Sequence, residues 1–192
     1  MRERTIRGKV AVVGVGETTY YRHGQADDPE FVLGLKAILA ACEDAGVDPR
    51  EIDGFASYSN DDNMPERFAA ALGLPELRFS NMVWGGGGGG GSGAVGNAAA
   101  AIAAGYADCV VVFRALAQGE GGRFGQGFSA GKVSGGGYEG WTPYGMLSPA
   151  QWFATRLNRL MHEHGIETST MRAISLAAYH HARNNPRAVM RD

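Results

Sequence analysis

A layered α/β fold, with a mostly parallel mixed sheet and helices on both faces, is what the order of the segments predicts. Short β-branched runs alternate with helical ones in the order strand, helix, strand, helix, strand, helix, strand. Such an order needs crossover connections, and crossovers make neighbouring strands parallel. The segment after the long glycine run is small and apolar nearly all round, as a helix packed on every side must be.

Residues 9–15 read as the first strand, being short, apolar and β-branched. In FVLGLKAILAACEDAG, Phe31, Leu35, Ile38, Leu39 and Cys42 recur at helical spacing, and Gly46 stands where a C-cap belongs. A strand over 54–58 follows, then a helix over 65–72 stopped by Gly73, then a strand over 77–83. The helix over 92–104 leads directly into a strand over 108–115. From Leu116 to Pro149 there is no periodic segment, a stretch longer than a compact domain normally uses as a plain connection. Two helices finish the chain. Ser148 is the N-cap candidate of the first, with Pro149 at its first position, and Pro186 ends the second. Residues 1–115 are therefore expected to form an α/β core, and 116–192 a glycine-rich loop and helical extension.

The 192 residues are 44% hydrophobic and 20% charged, enough to bury a core. Net charge is -2 and the 18 Lys and Arg are scattered, so the basic stripe that nucleic acid needs is missing. Val10 to Val15 is too short an apolar run for a signal peptide, and no stretch reaches the roughly 18 to 20 apolar residues of a membrane span. A cytoplasmic location is expected. Cys42 and Cys109 sit far apart in apolar segments and read as buried free thiols.

Glycine is the anomaly: 30 residues, seven of them consecutive at 85–91 and eleven between Gly119 and Gly145. A dinucleotide-binding turn would follow the first strand with an acidic residue about twenty positions on. This run follows the third strand, and Gly14-Val15-Gly16 is only a turn. The spacing of His162, His164, His180 and His181 fits no shared helix face, and no metal site is expected. Tyr138, Trp141 and Tyr144 in the long loop either line a substrate pocket or anchor the loop. Arg114, Arg123 and Lys132 could meet phosphates but read more simply as surface charge.

From Ser92-Gly93 through Ala101-Ile102, Gly105 and Ala107-Asp108 into the next strand, the spacing resembles that which follows the reactive cysteine of the thiolase superfamily. His180, His181 and Ala182, then Asn185-Pro186-Arg187-Ala188, are similar to the sterol-carrier and lipid-transfer members. The resemblance covers nearly the whole chain and implies the N-terminal half of a thiolase-like subunit, incomplete beside a full thiolase. On that template the nucleophile position falls on Gly88, and the neighbouring registers are glycine too.

Glycine forms no acyl-enzyme, so covalent Claisen chemistry is excluded. A glycine turn at a helix N-terminus still offers backbone N–H donors for an oxyanion or thioester carbonyl, with Gly88, Gly87 and Gly89 as the candidate donors. The resemblance thus implies the cysteine-less aldolases that cleave a β-hydroxyacyl-CoA side chain from a steroid, with coenzyme A entering as part of the substrate and no cofactor bound covalently. The competing implication is a non-catalytic acyl-CoA- or lipid-binding or assembly scaffold. The resemblance also implies a homodimer through the strand at 109–113, a partner subunit with an OB-fold domain or a second thiolase half, and a general base located off this chain.

Overall fold

The computed structural model describes residues 6–22, 24–59, 61–84, 87–117, 140–189 and 191. It divides into two compact units, Met1–Thr19 with Ala26–Glu120, and Tyr20–Gln25 with Gly121–Asp192.

The first unit is built on three parallel strands, β1 (Gly54–Tyr58), β2 (Phe79–Val83) and β3 (Val110–Val112), in the order β2-β1-β3. Gly54 pairs with Phe79 on one side and Val110 on the other. Helices α1 (Glu30–Ala45) and α2 (Pro65–Leu72) cover one face, and α3 (Gly90–Ala103) covers the other.

Alternation along β1 separates two cores. Phe55 points to α1 and α2, where Ile38, Cys42, Ile52, Phe68 and Phe113 bury together. Phe68 stacks on Phe31 at 4.8 Å between centroids and meets Phe113 edge-on at 5.0 Å. Ala56 points the other way, onto Ala94 and Ala98 of α3, where small residues let helix and sheet approach closely. Gly46 (φ 67°) and Gly73 (φ 67°) end α1 and α2 in the left-handed conformation, as their positions predicted.

Three expectations are corrected. Residues 9–15 form no strand: residues 10–16 run beside α1, where the Val15 N–H donates to Asp44 Oδ2 at 2.9 Å and a Cβ on Gly14 or Gly16 would strike the α1 backbone. An open cavity separates this segment from β3, so it has no ladder to join. The strand expected over 108–115 shortens to three residues because side chains take its end amides. Asp53 accepts from Asp108 N and Cys109 N, both at 2.9 Å at best, while Asp61 accepts from Ala115 N and Glu30 from Ala117 N. Finally, α3 starts two residues before Ser92, inside the glycine run.

In the second unit, Thr142–Tyr144 form a 3-10 turn, followed by α4 (Pro149–His164) and α5 (Thr168–Asn184). Ser148 occupies the N-cap position, but its hydroxyl meets Gln151 Oε1 instead of a backbone N–H. Among the described residues no helix is long and apolar enough to cross a membrane.

Candidate functional site

The described part of the glycine run bends out of β2 and winds into α3. Gly87–Gly89 make one 3-10 turn, and Gly90 begins the α-helix. The first N–H groups of a helix have no partner within it, so this turn carries donors and the positive end of the α3 dipole.

The glycines divide into two pairs with opposite surroundings. A Cβ built on Gly88 or Gly89 meets nothing within 4 Å, so both face open space. A Cβ on Gly90 would overlap the Tyr58 ring, and one on Gly91 would lie 3.6 Å from it. Glycine at 90 is therefore a packing requirement, whereas glycine at 88 leaves a space empty. Trp84, at the end of β2, is 88% exposed beside the turn.

Tyr58 and its support are the part that sequence reasoning missed. The Arg114 guanidinium lies 4.6 Å from the Tyr58 ring centre, and Arg114 Nη1 donates to the Tyr58 backbone carbonyl. The segment after Arg114 is pinned by Asp61 and Glu30, whose carboxylates are bridged by the Asn63 amide at 2.9 and 3.0 Å. Arg114 thus stacks on an aromatic wall of the glycine turn and is more than loose surface charge. An aromatic residue at the C-terminal end of a parallel strand was the available signal.

Trp141 and Tyr144 flank and end the 3-10 turn of the second unit, 51% and 80% exposed. Tyr138, Arg123 and Lys132 lie outside the described residues. Both cysteines are free; burial pushes the Cys42 and Cys109 thiols up, with nearby Asp48 adding at Cys42 and Cys42 and acidic neighbours adding at Cys109. Neither borders the turn. Among the described residues no group of three His, Cys, Asp or Glu could hold a metal ion.

No family model matches the chain. It is 34% identical over 186 residues to a steroid side-chain-cleaving aldolase of Thermomonospora curvata, which covers 94% of the chain and 46% of that protein. It is 35% identical over 192 residues to a 17-hydroxy-3-oxo-4-pregnene-20-carboxyl-CoA lyase of Mycobacterium tuberculosis, covering 95% of the chain and 48% of the lyase. Among solved structures, an Ltp2-ChsH2(DUF35) aldolase superposes with a TM-score of 0.82 at 32% identity, over 97% of this chain and 46% of that one. The chain spans about half the length of these relatives. Over nearly its whole length the chain is thus similar to one half of the steroid side-chain aldolases.

Proposed function

We propose that the chain is the thiolase-fold component of a carbon–carbon lyase that performs retro-aldol cleavage of a steroid side-chain β-hydroxyacyl-CoA thioester. The observation that carries this reading is the unfilled space at Gly88 and Gly89 on the N-terminus of α3. A thioester carbonyl placed there receives backbone N–H donors with no nucleophile in the way.

In the reaction a base takes the proton of the side-chain hydroxyl, the oxygen becomes a ketone, and the carbon–carbon bond breaks. The bonding pair passes into the acyl-CoA fragment as an enolate, which a proton then quenches. The turn holds the developing negative oxygen; the length that this chain does not span supplies the base. Trp141 and Tyr144, with Tyr138, are proposed to contact substrate. A subunit of the DUF35 type, as in the name of the similar solved structure, and a cytoplasmic setting complete the reading.

The test is a coupled assay of the natively purified protein with all co-purifying subunits, on a 17-hydroxysteroid side-chain CoA thioester. Release of the 17-ketosteroid and propionyl-CoA supports the lyase. Silence, with every subunit verified by mass spectrometry, favours a binding scaffold.

A further inference from the structure

Glycine has little backbone preference of its own, so a turn made of it keeps one shape only where something outside it imposes that shape. The requirement is sharp at this turn, because donors stabilise a developing oxyanion best when they are already aimed at it. An added Cβ would meet nothing within 4 Å at Gly88 or Gly89, the Tyr58 ring at Gly90 and Gly91, and the Val83 side chain at Gly93. At Gly90 it would lie 2.9 Å from Tyr58 Cγ, and at Gly91 it would lie 3.6 Å from Cε1 and 3.8 Å from Cζ. The ring therefore runs along the start of α3, from its first residue to its second. Gly90 is buried while Gly88 and Gly89 are exposed, so the ring seats the inner end of the turn and leaves the outer end open.

Tyr58 is itself held in place. Arg114 Nη1 donates to its carbonyl, and the guanidinium lies over its ring at 4.6 Å from the centre. The buried Nε of Arg114 has no hydrogen-bond partner, so the ring and that carbonyl are the contacts that place the group. Just past Tyr58, Ser59 is the one non-glycine residue at positive φ (56°) among the described residues. Its N–H donates to the Val83 carbonyl at 2.8 Å and ties the end of β1 to the end of β2. Beyond Arg114, the Ala115 and Ala117 amides are taken by Asp61 and Glu30. Two carboxylates fix the segment that carries the guanidinium, the guanidinium fixes the ring, and the ring fixes the glycines.

We infer that Tyr58 is a positioning residue for the reaction: its ring, held by Arg114, keeps the N-terminus of α3 in the shape that aims its N–H groups at the thioester oxygen. The inference rests on the lyase reading and names what preorganises that same site. The role belongs to the ring, not to the hydroxyl. A loosened turn still admits the substrate but no longer meets the enolate oxygen with fixed donors, so the loss belongs in kcat and not in KM.

The experiment takes the natively purified enzyme with all its co-purifying subunits and compares wild type with Tyr58→Leu and Tyr58→Phe on the 17-hydroxysteroid side-chain CoA thioester. Hydrogen exchange is read at Gly93 and Ala94, whose amides close the first turn of α3 onto the carbonyls of Gly89 and Gly90. In Tyr58→Leu, folded by circular dichroism, kcat should fall about tenfold or more with KM within about threefold of wild type. Both amides should exchange about tenfold faster or more. Phenylalanine restores the ring, so Tyr58→Phe should recover kcat and exchange to within about threefold of wild type. Should the leucine variant misfold, Arg114→Gln removes the stacked cation and should lower kcat about threefold or more at unchanged KM. A folded Tyr58→Leu whose kcat and exchange stay at wild-type values overturns the inference, as does a rise in KM alone, which would set the ring against the substrate. Tyr58→Phe as impaired as Tyr58→Leu overturns it too, by moving the role to the hydroxyl. A wild type silent on the thioester overturns the lyase reading instead; the amides of Gly93 and Ala94 then decide by themselves whether the ring holds the turn.

Discussion

Gly88 and Gly90 sit two residues apart and should answer substitution in opposite ways. At Gly88 an added Cβ meets no atom within 4 Å, so in Gly88→Val thermal stability should hold while lyase activity of the complete enzyme falls about 100-fold or more, the scale of losing one oxyanion contact. Retained activity would remove the turn from the mechanism. Gly90→Ala drives a methyl into Tyr58 and should cost about 1–3 kcal/mol, read from urea midpoints. The run of glycines was legible in the sequence. Their division into open and packed positions was not, because it depends on Tyr58, thirty-odd residues upstream and silent as a motif. The cysteines offer a titration. Both thiols are raised in the fold, so the stability they contribute is complete below about pH 8.5 and is lost as pH climbs toward the folded values. Alkylation by iodoacetamide at pH 8 should therefore be far slower in the native chain than in urea; equal rates would contradict the burial of Cys42.

Asp53 shows how one side chain defines an element. It is nearly buried, accepts the amides of Asp108 and Cys109, and pairs with Arg78 at 3.3 Å, so it fixes where β3 begins. Asp53→Ala should leave those amides unpaired and cost about 2–4 kcal/mol in urea unfolding, whereas Arg78→Ala, losing partly exposed contacts, should cost under about 1. Equal losses would place the weight on the ion pair. Helices and their glycine stops were readable from local spacing at α1 and α2. The ends of β3 were not readable, since Asp53, Asp61 and Glu30 reach it from 54 to 87 positions away.

For the molecule as a whole, the α/β order and the parallel sheet followed from the alternation of segments, and the likeness to the steroid side-chain aldolases was signalled by residues 92–108 and by the stretch from His180 to Ala188. The strand expected at 9–15 failed for a reason beyond local sequence: residues 10–16 lie along α1, with an open cavity between them and β3. The open cavity beside β3 and the exposed Val12, Val13 and Val15 also predict poor behaviour in isolation. The lone chain should self-associate as concentration rises, and its unfolding midpoint should climb when the completing portion is added, by the linkage that stabilises any native state that binds a partner. A midpoint insensitive to that addition would mean that the two portions do not bind each other.

The start of β1 is the dipeptide Asp53-Gly54, the aspartyl pair most prone to cyclise to a succinimide and age into isoaspartate, because glycine's nitrogen can swing onto the preceding carboxyl. In the folded chain that nitrogen donates to the Cys109 carbonyl at 3.2 Å, and the carboxylate is engaged by two amides and a guanidinium. Neither reacting atom is free to move. Isoaspartate at residue 53 would accumulate only while the sheet is open, so its level in an old sample records the total time the protein has spent unfolded.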